Sequence, residues 1–228
     1  MAFTARRGEM GKSDGDAGSY DRAREFTLKK YMEIISDNLT ASMGSLVLDI
    51  GCGTGKIAKM LGSMGYSVIG IDSSRDMISF ASRHSPGRWL AFVLGDAQAL
   101  PFKDGAFGGA VSTDVIHHVD PAAFSCETSR VMKDSSELIS IEPNVSNPRI
   151  FLYQKLAPGE RIIGTKTLRK VIENDFHVEK TGKAMIIPSN LRGSLPRCAR
   201  RAEAFLERKS PFDMLSGACF IKAVKAKK

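Results

Sequence analysis

Four acidic residues, each at or just beyond the end of an apolar run, carry most of the chemistry that this chain displays: Asp49, Asp72, Asp96 and Glu142. The first stands in Val47-Leu48-Asp49-Ile50-Gly51-Cys52-Gly53-Thr54-Gly55-Lys56. Three glycines at alternate positions let a backbone turn sharply and come close to a ligand, with helix N-terminal amides nearby. Carboxylates beside such a turn accept hydrogen bonds from hydroxyls or amines, so the pattern suits a nucleotide-like cofactor. Ile57, Leu61 and Met64 follow at helical spacing, and Leu46 to Ile50 reads as a strand buried on both faces, which places the glycines at a strand-to-helix turn.

Spacing separates the competing glycine-rich sites. A G-x-G-x-x-G dinucleotide fingerprint needs glycine at position 56, where Lys56 stands, and a phosphate-binding P-loop needs Ser or Thr after Gly-Lys, where Ile57 stands. What remains is D-x-G-x-G-x-G over Asp49 to Gly55. This resembles the first motif of the class I S-adenosylmethionine-dependent methyltransferases, and Gly51, Gly53, Thr54 and Gly55 are its matching positions beside Asp49. The resemblance spans roughly residues 20 to 145 and is closest to the small-molecule branch that includes the ubiquinone and menaquinone biosynthesis enzymes. It implies S-adenosyl-L-methionine as cofactor.

The remaining motifs follow in order. Ser67 to Asp72 reads as a second strand ending in a carboxylate placed to accept from ribose hydroxyls, the alternative being a helix N-cap for Arg75 to His84, a role that Ser73 or Ser74 fills equally. Trp89 to Leu94 leads into Gly95-Asp96-Ala97-Gln98-Ala99-Leu100-Pro101-Phe102. In the family a similar stretch closes over adenine, which makes Asp96 the acceptor from the exocyclic amine and the Ala97 amide a donor to the ring; the plain alternative is an Asp holding a surface turn. Phe107 to Val119 resembles the family's fourth strand and turn, with Thr113 near the cofactor's amino-acid end. Gly108 departs from the pattern, which usually has Asp there. Tyr20 resembles an aromatic beside the methionine portion, or else anchors a helix whose face carries Phe26, Tyr31, Ile34 and Ile35.

For methyl transfer by in-line displacement the protein's part is to align and desolvate the reactants, and a base is needed only if the acceptor arrives protonated. His117, His118 and Glu142 are candidates; turn-capping is the favoured role for the histidines, and a core-satisfied carboxylate is the alternative for Glu142.

The resemblance implies that the elements positioning these residues form an α/β fold: a Rossmann-like, seven-stranded, mostly parallel sheet with an antiparallel last strand and helices on both faces. Strand five is expected over Glu137 to Ile141, followed by a helix over Thr167 to Asn174, a strand over Phe176 to Ile187, a basic helix over Pro196 to Lys209 and a final strand over Gly217 to Lys225. Residues 1–18 are expected to be a flexible tail and 19–228 one domain, with 19–145 holding cofactor and 146–228 facing substrate.

At 228 residues and 43% hydrophobic, the chain can bury one sizeable core. No apolar run reaches the roughly 18 residues of a membrane span, and the first residues lack a signal peptide's apolar centre, so a cytoplasmic protein is expected. Cys52, Cys126, Cys198 and Cys219 have no C-x-x-C spacing, and no metal site is indicated. The net charge of +8 is unevenly placed: residues 149–228 hold 18 Lys or Arg against 7 Asp or Glu. A small-molecule acceptor, anionic or lipid-like, fits that field, as does a solvated basic face. RNA or protein docking on the basic half, and a non-catalytic cofactor-binding module, are the other readings; no Asn/Asp-Pro-Pro-Tyr or Pro-Cys stretch favours nucleic acid.

Overall fold

A computed structural model describes residues 27–148, 150–152, 164–184 and 216–227. The expected tail, Tyr20, Phe26, the basic helix 196–209 and residues 185–187 of the expected sixth strand lie outside the described residues.

The elements run α1 (27–38), β1 (Leu46–Ile50), α2 (Lys56–Ser63), β2 (Ser67–Asp72), α3 (Arg75–His84), β3 (Leu90–Leu94), β4 (Phe107–Thr113), α4 (Pro121–Val131), β5 (Met132–Pro143), α5 (Thr165–Ile172), β6 (Phe176–Ala184) and β7 (Ala218–Lys225). Seven strands form one sheet in the order β3-β2-β1-β4-β5-β7-β6. Pairings from β3 through β5 are parallel, and β7 is antiparallel to both β5 and β6. The expected seven-stranded α/β sheet is therefore present. The last strand, β7, is the reversed one as expected, and β6, pairing with it, runs with the other five.

Burial explains the layers. Along β1 the side chains alternate, so Val47 joins a core with Ile34 and Ile35 of α1 and Ile57 and Leu61 of α2. Leu48 and Ile50 face the opposite core, with Phe124 and Val131 of α4 and Leu168 and Ile172 of α5. β1 is apolar on both faces apart from Asp49, as a strand covered by helices on each side must be.

Two elements start more than one residue from where they are expected. β5 begins at Met132, directly after α4, rather than at Glu137; the register moves from Phe107 opposite Met132 to Gly109 opposite Glu137, with Ser135 at φ 62°. This bulge absorbs the polar Lys133-Asp134-Ser135-Ser136, which hides the strand start from a hydrophobic pattern. Gly108 lies within the same register shift. α5 starts two residues earlier than expected because Gly164 at φ −66° and ψ 147° supplies an extended N-cap.

The strand order reverses between β1 and β4. The segments leaving these two strands diverge to opposite sides, and in open α/β sheets that switch point opens a ligand crevice at the carboxyl edge.

Candidate functional site

The turn after β1 is built on positive φ angles at Gly51 (71°), Gly53 (50°) and Gly55 (80°). Gly51 N and Cys52 N both donate to Ile71 O, at 2.8 and 3.0 Å, folding the turn onto the end of β2. The three glycines differ in surroundings. A methyl group at Gly51 would collide with Val115 Cγ2, whereas one at Gly53 would have no neighbour within 4 Å. Gly53 thus presents bare backbone to open space, and Gly51 is where the turn packs against the segment after β4. Thr54 is buried, and no side chain caps α2 at Gly55.

Asp72 holds this turn from the neighbouring strand. Its Oδ2 accepts from Gly53 N at 2.9 Å and its Oδ1 from Ser74 N at 2.8 Å. Ser74 caps α3, its Oγ accepting from Met77 N, so the N-cap role belongs to Ser74. A carboxylate offers about four lone-pair sites, so the Asp72 carboxylate has acceptor capacity beyond these two bonds.

Asp49 is fully buried, and neither carboxylate oxygen has a hydrogen-bond partner. Burial pushes its pKa up to about 7; the nearby Ala58 amide offsets part of the shift without reaching hydrogen-bond geometry, and the Asp72 charge adds to it. Burial, reinforced by both carboxylates, also drives the Cys52 thiol upward, so this cysteine stays a thiol. An acceptor of this kind beneath an open glycine turn suits a ligand that carries a cationic amine.

Asp96 and Ala97 follow β3. Gly95 N donates to Asp72 O at 3.0 Å, which brings the Asp96 loop to the same edge as the glycine turn. Asp96 is exposed and its Oδ1 accepts from Gln98 N at 2.8 Å. Thr113 ends β4, half-buried.

Beyond it the structure assembles contacts that sequence reasoning missed. Asp114, at φ 57°, accepts from Tyr31 Oη of α1 at 3.0 Å, tying the first helix to the site edge. The visible signal was an acid one residue past Thr113; its partner lies 83 residues away.

His117 and Glu142 are brought together. His117 Nδ1 lies 2.6 Å from Glu142 Oε2, and Glu142 Oε1 accepts from Val115 N at 3.0 Å and Ile116 N at 2.8 Å. Glu142 is buried, and the His117 and His118 rings lie 3.9 Å apart at 45°, with His118 exposed. Because a carboxylate accepts, the contact fixes the proton on Nδ1 of His117. Among the described residues no group of three or more His, Cys, Asp or Glu is placed to hold a metal ion, and no helix is long and apolar enough to cross a membrane.

Residues 48–140 match a family profile described as a methyltransferase domain. Over that stretch the chain is similar to methyltransferase domains. Demethylmenaquinone methyltransferase of Beutenbergia cavernae is 37% identical to it over 107 residues, which are 46% of this chain and 44% of that protein. The chain spans about half the length, or less, of the curated relatives it matches. The methyltransferase fold extends further than the sequence match. Phosphoethanolamine N-methyltransferase 2 of Haemonchus contortus, solved with S-adenosyl-L-methionine, superposes with a TM-score of 0.74 at 18% identity, covering 96% of this chain and 59% of that one. Geranyl diphosphate C-methyltransferase of Streptomyces coelicolor superposes with a TM-score of 0.70 at 17% identity, covering 96% and 88%.

Proposed function

We propose that this methyltransferase domain binds S-adenosylmethionine at the β1–β4 switch point and transfers its methyl group to a small-molecule acceptor. The observation that carries the reading is Asp49, a buried carboxylate without a partner beneath a glycine turn whose middle glycine faces open space. The relative from Beutenbergia cavernae supports a small acceptor. Asp49, Gly51, Gly53, Thr54, Gly55 and Thr113 would hold the amino-acid end, Asp72 the ribose, and Asp96 with the Ala97 amide the adenine. Tyr20 is retained as a candidate contact to the methionine portion. When bound, the cofactor supplies a methyl group already activated on a sulfonium.

The chain's own residues then have three tasks. The rigid turn and its Asp72 hook orient the cleft, so that alignment is achieved before the acceptor arrives. Helices on both faces of the sheet exclude water beneath the cleft. A proton acceptor is required only where the acceptor atom arrives protonated. Glu142 already accepts from two amides and His117, so we read it as the keystone of the turn and the histidines as parts of that turn.

Titration calorimetry with S-adenosylmethionine, S-adenosylhomocysteine and NAD tests the cofactor. Binding of the first two with no NAD response is expected; NAD binding with silence from both others would overturn the proposal. Incubating labelled methyl donor with separated lipid, metabolite, RNA and protein fractions tests the acceptor, and label in RNA or protein alone would overturn the small-molecule reading.

The turn makes its own prediction. Glu142→Ala leaves two buried amides and His117 without an acceptor and should cost about 2–4 kcal/mol in chemical denaturation. His117→Gln and His118→Gln should each keep the pH profile of methyl transfer. Loss of a limb near neutral pH in either would make that histidine the base.

A further inference from the structure

The Asp96 loop is gripped from outside the cleft. Arg130, in the last turn of α4, donates through Nη2 to Leu100 O and through Nη1 to Phe102 O, both at 2.8 Å, and through Nη1 to Asp104 Oδ1 at 2.7 Å. Glu127, one turn earlier, takes the same guanidinium with both carboxylate oxygens, Nε to Oε1 and Nη2 to Oε2, each at 2.8 Å. Its Oε2 also accepts from Leu100 N at 2.8 Å. Both backbone polar groups of Leu100 thus end on one ion pair. The backbone of Arg130 adds a bond, its carbonyl accepting from Gly105 N at 3.0 Å, and at the other end of the helix Asp120 N donates to Gln98 Oε1 at 2.9 Å. Leu100 is buried in the core against α4. The pairing with Arg130 holds the Glu127 carboxyl below its usual range, so the clamp stays ionised at neutral pH.

A surface ion pair of this kind contributes little to overall stability. Its value lies in where its hydrogen bonds go. Surface loops ordinarily retain freedom, whereas residues 98–105 are fastened at six backbone or side-chain points to one rigid helix. Asp96 and Ala97 lie between that fastened stretch and the end of β3. A guanidinium reaches two carbonyls and a carboxylate together because its donors form a planar fork, which a lysine ammonium does not reproduce.

We propose that Arg130 and Glu127 are positioning residues for base selectivity, setting the Asp96 carboxylate and the Ala97 amide at the spacing that distinguishes adenine from a deaminated purine. The inference rests on the reading of Asp96 and Ala97 as the adenine contacts. It predicts that breaking the clamp costs selectivity between bases, beyond any general loss of affinity.

Calorimetry with S-adenosylhomocysteine and S-inosylhomocysteine, which carries a carbonyl where adenine has its exocyclic amine, tests this in the full chain. The wild type should prefer the adenosyl compound, and Arg130→Met should cut that preference about tenfold, the worth of one well-placed hydrogen bond. Arg130→Lys should recover only part of it. Ser125→Ala serves as control: it removes a 2.6 Å bond from α4 to Asp175 and touches nothing in the loop, so it should leave the preference intact. Should Arg130→Met fail to fold, Glu127→Gln keeps the arginine and weakens the fork, and a smaller fall in preference is expected.

An unchanged preference in the clamp variants, or an equal weakening of both ligands, overturns the inference. A wild type that binds both compounds alike also overturns it. A wild type that binds neither compound defeats the cofactor proposal instead.

Discussion

Replacing Asp49 by asparagine is expected to make the ligand-free protein more stable above neutral pH and to weaken its hold on S-adenosylhomocysteine. The native carboxyl titrates at about 7 instead of 3.8, so between those values the folded state keeps a proton that the unfolded chain has released. Stability therefore falls as pH rises through this window and levels off above it, by up to roughly 4 kcal/mol in total. An asparagine side chain has no such proton to lose, and its amide meets the same unpartnered surroundings as the protonated acid. The D49N variant should match the wild type near pH 4 and exceed it by about 2–4 kcal/mol at pH 8 in urea denaturation.

Binding should move the other way. An amine brought to this site favours the ionised carboxylate, so the wild type should release a proton on binding near pH 6, measurable by calorimetry in buffers of different ionisation enthalpy. The variant should show none and should bind about 10–100-fold more weakly. Lower stability of D49N at pH 8, or unchanged affinity, would remove Asp49 from the site.

Gly51→Ala and Gly53→Ala should fail in different assays although both place a side chain at positive φ. That backbone conformation costs an L-residue about 1–2 kcal/mol at either position. At Gly51 the new methyl also meets Val115, and a collision inside packed structure adds about 1–3 kcal/mol. The G51A variant should therefore lose roughly 2–5 kcal/mol and yield little folded protein. At Gly53 the methyl enters open space, so the fold should survive with a loss of about 1 kcal/mol while the cleft is narrowed where a ligand must approach the backbone. Circular dichroism melts and calorimetry on both variants separate the two effects. Equal stability of the pair, or wild-type binding by G53A, would show that the two glycines do not divide the work in this way.

Local signals were legible wherever the chain's neighbours in sequence are also its neighbours in space. β2 ends at Asp72 and α3 begins at Arg75 as expected, because an apolar run meets an acid and Ser74 supplies the cap. The start of β5 was hidden by a bulge of four polar residues, since a bulged strand abandons the alternation that marks it. The Glu142–His117 contact was invisible for another reason. It depends on the register that sets Thr113 beside Ile141, and pairing between strands cannot be read from either strand alone. Arg130 takes part in no motif that the sequence displays. Its i,i+3 partner Glu127 was visible, but the carbonyls it grips belong to a loop whose path the sequence does not state.

The placement of β7 between β5 and β6 has a consequence for how the chain is made. β6 is synthesised first, yet its hydrogen-bonding partner is the later strand, so on a growing polypeptide it has nothing to join. Until residues 218–225 emerge, the ladder groups of Glu137 to Pro143 on that side are unpaired, and the Met132 carbonyl lacks the Lys225 ammonium that reaches it at 2.7 Å. The exposed flank is apolar through Leu138, Ile139 and Ile141, a template for pairing with the wrong strand. Completion of this sheet waits for β7 to be made, and a nascent chain stalled before β7 is the species that a chaperone would have to shield.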